Sequence, residues 1–396
     1  MEEWKEYKLG EVCRMIPGFA FKSNEFGIGS NVAIKIKDIQ PPYIETKGAD
    51  NVDISRYDVD KLSKFIVNKG DFLLAMTGAT IGKIGKYIDE KPAYINQRVL
   101  KFQDIGLISY DYLYYYLSTD IFQSFILNHI DSQSAQPNIS SNTIGKYPIK
   151  VPSFNIQQKI ASILKSLDDK IEVNRRINDN LEQQAQAAFD ELIMDEELPR
   201  TKFLKDYAFV NPSRTIKKGE VKRYIDMSSL PTQGSFPSDW INKPYNGGMK
   251  FQNGDTIMAR ITPCLENGKT AYINFLEKDE IAYGSTEYIV MTPQNGMPSE
   301  MFYFLARNED FVSYAVAHMN GSSGRQRVSA TDIENYIMPD IPTQSIELFG
   351  KKTNAVMECI KNNSFENRKL AILRDTLLPK LMSGELKVFD KPNDQS

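Results

Sequence analysis

From residue 155 the apolar positions fall into a helical period. Ile156, Ile160, Ile163, Leu167, Ile171, Ile177 or Asn178, Leu181, Ala188 and Leu192 recur at threes and fours between Pro152 and Pro199. That spacing predicts an amphipathic helix bounded by its prolines. At 1.5 Å per residue, 155–193 spans roughly 60 Å, too long to be packed inside one domain. A second such stripe follows Pro342, through Phe349, Val356, Ile360, Leu370, Leu373, Leu377 and Leu381, with Ser383-Gly384 as a stop. Two stripes of this kind in one chain predict an antiparallel two-helix coiled coil. The plainer alternative is that each helix caps its own domain. Gly350 and the polar Asn362-Asn363-Ser364 predict a less regular second helix.

Ahead of each helix lies a segment of about 150 residues with a different texture. Short apolar runs such as Val32-Ala33-Ile34-Lys35-Ile36 and Phe72-Leu73-Leu74-Ala75-Met76, bounded by turn residues, predict strands. The aromatic run from Tyr110 to Ile130 predicts a buried helix. The fold class is therefore mixed α/β, α+β in layout. The two segments are also related. At an offset of 189, Tyr112-Leu113-Tyr114-Tyr115-Tyr116-Leu117 aligns with Met301-Phe302-Tyr303-Phe304-Leu305-Ala306, and Phe122, Phe125 and His129 align with Phe311, Tyr314 and His318. Ala93-Tyr94 aligns likewise with Ala282-Tyr283, and Ile139-Ser140 with Val328-Ser329. A repeat of this length organises the whole chain as two copies of one plan. The predicted divisions are 1–152 and 199–342 as globular domains, 153–198 and 343–388 as long helices, and 389–396 as a tail.

Composition narrows the function. Of 396 residues 41% are hydrophobic and 25% charged, which excludes disorder and collagen-like repeats. No apolar run of transmembrane length occurs, and Met1-Glu2-Glu3-Trp4-Lys5-Glu6 has no signal-peptide layout, so a soluble cytoplasmic protein is expected. Cys13, Cys264 and Cys359 form no CxxC pair, so neither a disulfide framework nor a zinc knuckle is expected. His129 and His318 are the whole histidine complement, and the repeat makes them one position used twice. Structural roles are expected for both, and a catalytic imidazole pair is not. Other signatures fail on inspection. Gln40-Pro41-Pro42-Tyr43 has Gln where adenine methyltransferases carry Asp or Asn, and no glycine-rich cofactor turn accompanies it. Gly78 to Lys83 is one residue short of a P-loop and is followed by Ile84 instead of Ser or Thr. Asp168-Asp169-Lys170 and Glu385-Leu386-Lys387 hold nuclease-like letters but fall on or at the end of the long helices, where a solvated face is expected.

The net charge is −3, which does not announce a nucleic-acid binder. Its distribution is more telling. Residues 1–152 hold 18 basic and 18 acidic side chains, while 153–200 hold 6 and 10. The negative charge thus sits mainly on the first long helix. In the globular segments, basic stretches (Lys83, Lys86, Lys91, Arg98 and Lys101; Arg325 and Arg327) lie among polar, glycine-rich loops at corresponding places. Thr77-Gly78-Ala79-Thr80-Ile81-Gly82-Lys83 corresponds to Arg260-Ile261-Thr262 through Asn267-Gly268-Lys269. The stretch 131–138, with Gln133, Gln136 and Asn138, corresponds to 320–327, with Ser322, Arg325, Gln326 and Arg327. Loops that recur in both copies with different polar letters fit one scaffold reading two base sequences. Lys83 and Lys269 are candidate phosphate contacts, and Arg98, Gln136, Asn138, Arg260, Arg325 and Arg327 candidate base contacts, with Thr77, Thr80, Gln133, Thr262, Asn267, Ser322 and Gln326 beside them.

The residues resemble a known family. Val151-Pro152-Ser153, then Gln157-Gln158-Lys159-Ile160-Ala161-Ser162-Ile163-Leu164, then Leu167-Asp168-Asp169-Lys170-Ile171-Glu172 and Asn174-Arg175-Arg176-Ile177-Asn178, resemble the central conserved region of the specificity subunits of Type I restriction-modification systems. Leu377-Leu378-Pro379-Lys380-Leu381-Met382-Ser383-Gly384-Glu385-Leu386 resembles the distal one. Arg260 to Lys269, with Gly284-Ser285-Thr286-Glu287, is similar to a common type of target-recognition domain. Thr343 to Phe349 departs from the first copy's Gln-Gln-Lys-Ile signature. The resemblance implies that 1–152 and 199–342 are target-recognition domains, each reading one half of a split site in double-stranded DNA. It implies that the helices set the spacer and dock two modification (methyltransferase) subunits, which restriction (translocase-nuclease) subunits join. The chain would itself be non-catalytic and hold no cofactor, with S-adenosylmethionine, ATP and magnesium belonging to the partners. A closely similar alternative is the recognition subunit of a Type IIB-like system with a fused nuclease-methyltransferase partner. A methyltransferase acting alone and a coiled-coil scaffold without a DNA role are the rivals from other classes.

Overall fold

Helix starts in the two halves are set by matching caps. Thr119 and Asn308 lie 189 positions apart, and their side chains accept from the backbone N–H groups of Phe122 and Phe311. Ser140 and Ser329, at the same offset, do so for Thr143 and Asp332. Each cap satisfies a donor that the first helical turn leaves without an intrahelical partner. In the computed structural model, which describes residues 4–131, 137–294, 296–322 and 324–388, the first half carries α1 (Tyr110–Leu117), α2 (Asp120–Asn128), α3 (Ser141–Ile144) and the 40-residue α4 (Phe154–Ile193). The second half carries α5 (Met301–Arg307), α6 (Glu309–Ala317), α7 (Ala330–Glu334) and the 40-residue α8 (Thr343–Met382). The aromatic run expected as one helix is therefore two, because Thr119 opens a new helix directly after Ser118 closes the last.

The chain divides into two compact units, residues 1–168 with 371–396, and residues 169–370. The division passes through both long helices. In the first unit a five-stranded sheet runs in the order Cys13–Pro17, Val99–Asp104, Phe72–Ala75, Ile84–Tyr87, Tyr43–Ile44. A four-stranded sheet runs Asp50–Val52, Phe26–Ile34, Ala93–Ile95, Ile66–Val67. The second unit repeats this with the orders Ala208–Val210, Tyr288–Pro293, Thr256–Ala259, Thr270–Tyr272, and Ile241–Pro244, Val221–Ile225, Ala282–Gly284, Lys250–Phe251. The second-named sheet of each unit contains one parallel pair, Ala33 opposite Tyr94 and Tyr224 opposite Tyr283. The strands Phe72–Ala75 and Thr256–Ala259 are buried at every position, as continuous apolar runs inside a layered fold should be. The mixed α/β class is thus borne out.

Both cores take in the long helices. In the first unit Ile160, Ala161 and Leu164 of α4 share one buried cluster with Leu378, Leu381 and Met382 of α8 and with Tyr112, Leu113 and Tyr115 of α1. In the second unit Ala185, Phe189 and Ile193 of α4 share a cluster with Ile346, Phe349, Met357 and Ile360 of α8 and with the aromatic residues of α5. Within each unit, later residues of α4 meet earlier residues of α8, so the pair runs antiparallel. Each helix therefore buries its stripe both on the other helix and on a globular core.

Several details differ from expectation. α8 is continuous through Gly350, where a side chain would meet the Pro298 ring at 2.7 Å, so the glycine allows a close approach. The polar Asn363 and Ser364 bond across the helix pair to Asn178. Neither residue loosens the helix. Ile163, Ile177 and Leu373, assigned to the buried stripes, are exposed. Polar contacts hold the seam instead. In the first unit Asp168, which the sequence reads as solvated, is buried and accepts from the Tyr115 hydroxyl at 2.6 Å and the Arg374 guanidinium at 2.8 Å. In the second unit the Asn174 amide, 1% exposed, donates to Glu366 at 2.7 Å and to Asn367 at 2.9 Å. α8 stops where Gly384 takes φ +75 against Trp4.

Candidate nucleic-acid interface

Three segments in each half are tied together by the same backbone bonds. In the first, the turn Gln97-Arg98 joins the strands Ala93–Ile95 and Val99–Asp104, and the Arg98 carbonyl accepts from Met76 N–H at 2.9 Å. The Met76 carbonyl in turn accepts from Ile139 N–H at 3.0 Å, and Thr77 bridges Asn138. In the second, the turn Thr286-Glu287 holds the equivalent place. The Glu287 carbonyl accepts from Arg260 N–H at 3.0 Å, the Arg260 carbonyl accepts from Val328 N–H at 3.0 Å, and Ile261 bridges Arg327. Positions 98 and 287 are thus one slot, as are 138 and 327. The main chain is shared while the side chains differ.

The first cluster brings Arg98 to Asn138. Arg98 sits in the left-handed region at φ 73, is exposed, and donates from Nη1 to Asn138 Oδ1 at 3.4 Å, a long contact and the one side-chain bond of its fork among the described residues. Thr77 and Thr80 turn inward, their hydroxyls donating to the carbonyls of Pro137 at 2.7 Å and Ile36 at 3.1 Å. They shape the loop rather than present hydroxyls outward. Lys83 is half-buried and lines a cavity of about 360 Å³ with Pro41, Pro42, Tyr114, Asp168 and Arg374. Gln133 and Gln136 lie outside the described residues.

The second cluster is built on a carboxylate. Arg327 Nε lies 3.0 and 2.9 Å from the two oxygens of Glu287, and its Nη2 donates to Oε1 at 2.7 Å. Its Nη1 donates to the Arg325 carbonyl at 2.9 Å. Arg260 Nε stands 3.8 Å from the other Glu287 oxygen. The Arg327 hydrogen bonds hold the Glu287 carboxyl below the usual carboxylate range. Gln326 contributes its carbonyl, which accepts from Thr262 N–H at 3.1 Å, and the Thr262 hydroxyl faces the Met319 sulfur at 3.6 Å. Arg325 and Ser322 are exposed, joined by a 3.0 Å turn bond, and Asn267 is exposed on the neighbouring loop. Lys269, a candidate phosphate contact, donates to the Met227 carbonyl at 2.8 Å with one of the three N–H groups of its ammonium. In the sequence Glu287 stands out only as the last letter of Gly284-Ser285-Thr286-Glu287. Its slot becomes visible when residue 98 is carried forward by the repeat offset.

The two histidines are the clearest measure of the repeat. Each caps the C-terminus of its helix, α2 or α6. His129 Nδ1 lies 2.9 Å from the Phe125 carbonyl and His318 Nδ1 2.8 Å from that of Tyr314. Each ring lies against the aromatic ring one turn back, at 4.2 and 4.0 Å. Their roles are structural. Among the described residues no group of three or more His, Cys, Asp or Glu side chains is placed to hold a metal ion, and no helix is long and apolar enough to cross a membrane.

A doubled α/β fold with two polar loop clusters defines the class, and comparison with known proteins shows what the chain is similar to. Residues 1–183 match the Type I restriction modification DNA specificity domain. The chain is 28% identical to the Type I restriction enzyme MjaIX specificity subunit of Methanocaldococcus jannaschii, over 98% of this chain and 97% of that one. It is 21% identical to the HindI specificity subunit of Haemophilus influenzae, over 98% and 100%. Its fold is similar to that of the S subunit of a type I restriction-modification system from M. genitalium, with a TM-score of 0.57 and 14% identity over 96% of both chains. The resemblance read from the central helix is borne out: the chain is related to the Type I specificity subunits over nearly its full length.

Proposed function

We propose that the chain is the non-catalytic recognition subunit of a Type I restriction-modification assembly. Residues 1–152 and 199–342 act as two reading heads, each taking one half of a split double-stranded DNA site. The observation that carries this reading is the three-segment frame present twice, with Arg98 and Asn138 in one copy where the other has Glu287 and Arg327. One backbone that presents different polar groups is what reading two unlike half-sites requires. The candidate base-contacting groups that remain exposed, Arg98 and Arg325, suit guanine edges, and Lys83 suits a phosphate. Lys269, with one donor on the Met227 carbonyl, has further donors that suit a phosphate.

The long helices supply the rest of the role. Ile163, Val173 and Ile177 on α4, and Ile372 and Leu373 on α8, are large apolar residues left exposed. They suit the docking of two modification subunits, which bring S-adenosylmethionine, and restriction subunits join that core with ATP and magnesium. The test is single-molecule sequencing of methylated bases in the host genome with and without this gene. A bipartite methylated motif that disappears with the gene is the expected result. Methylation that is unchanged, or a lost motif with no unread spacer, would refute the proposal. Neighbouring genes show whether the partners are separate chains or one fused nuclease-methyltransferase.

A further inference from the structure

We propose that Glu287 determines the specificity of the second head by aiming Arg327 at a base that offers two acceptors, as the major-groove edge of guanine does. The inference rests on the recognition reading above and goes further, assigning one position of one half-site to a pair of residues. An arginine has five N–H donors in one plane. Three of those of Arg327 are engaged, Nε and Nη2 on Glu287 and Nη1 on the Arg325 carbonyl. Among the described residues one N–H therefore remains on each terminal nitrogen. Guanine N7 and O6 need two such donors.

The carboxylate fixes the plane of the guanidinium before DNA arrives, which spares the ordering of a long side chain on binding. Glu287 is itself held by its turn, because its carbonyl accepts from Arg260 N–H. Arg260 Nε adds a second positively charged group against Glu287. It is buried without a hydrogen-bond partner among the described residues, beside the same carboxylate. The first head shows the alternative setting of this slot. There the turn residue is Arg98, the facing residue is Asn138, and among the described residues no carboxylate fixes the fork. Glu287 is thus a positioning residue for Arg327, and the pair at 287 and 327 forms a specificity switch.

The experiment uses the full chain assembled with its modification subunits. Binding is measured by competition against a panel of duplexes carrying each base at every position of both half-sites, at one fixed salt concentration. Arg327→Ala and Glu287→Ala should each relax the preference at the same single position of the second half-site, by roughly tenfold or more. The first half-site should be unaffected, which also reports that the variants fold. Glu287→Gln keeps an acceptor for Arg327 and should recover part of the preference. In the double variant Glu287→Arg with Arg327→Glu the ion pair can re-form with its arginine on the turn, and the preferred base at that position should change. If the pair were only structural, the double variant would restore the original preference, and the single variants would weaken all duplexes equally. Either result overturns the assignment. A wild-type assembly that binds every duplex alike would instead overturn the recognition reading beneath it.

Discussion

Asp168 shows how far one residue can stand from its sequence signal. In the linear pattern it belongs to an acidic-basic run on an exposed helix. In the fold its carboxylate is buried and shared by Tyr115, 53 positions earlier, and Arg374, 206 positions later. Burial, reinforced by the neighbouring Asp168 carboxylate, pushes the Tyr115 hydroxyl far above the usual phenol range, so it stays a donor at all ordinary pH. Removing the cation from such a site leaves a buried charge uncompensated. Arg374→Leu should therefore destabilise the chain by about 3 kcal/mol, the low end for a broken buried pair because the Arg374 side chain is 20% exposed. Chemical denaturation of the two proteins under identical conditions would measure it. A difference within about 0.5 kcal/mol would mean that the contact is only a surface pair.

At the scale of elements, periodicity predicted both long helices, and it predicted the first to within a residue of its start. It did less well on which face is buried, since Ile163, Ile177 and Leu373 are exposed while Asn174 is not. A helical stripe records that a face is covered without recording by what. The layer of Asn174, Asn178, Asn363 and Glu366 now explains the polar interruption of α8, because buried amides fix which residues of two helices face each other. On the proposed function that register would set the spacer. Removing one turn from α4 together with the facing turn of α8 shortens the pair by about 5 Å, or one to two base pairs of DNA. The methylated motif should then lose one or two unread bases and keep both half-sites. An unchanged spacer, read by the same sequencing, would show that the helices are not the ruler.

At the scale of the molecule, the proposed reading together with the repeat predicts that the two heads are independent cassettes. Replacing residues 1–152 with the corresponding segment of another specificity subunit should change one half of the methylated motif and leave the other half and the spacer as they were. Mapping methylated bases in a host carrying the hybrid would check this. Alteration of both halves would show that the heads do not read separately.

The sequence by itself determined the doubling, the α/β class, the helices and the matched placing of the two histidines, because these depend on local period, composition and self-similarity. The paired caps and the two stacked histidines follow from the same regularities. Tertiary structure decided which polar groups meet. Thr77, Thr80 and Lys269 each donate to a nearby carbonyl, while Glu287 and Arg327, 40 positions apart, close on each other across two loops. Side chains of one type look alike in a sequence. What separates a solvated acid from one that aims an arginine is the backbone that brings them within 3 Å, and that backbone is set by long-range strand pairing with no local signature.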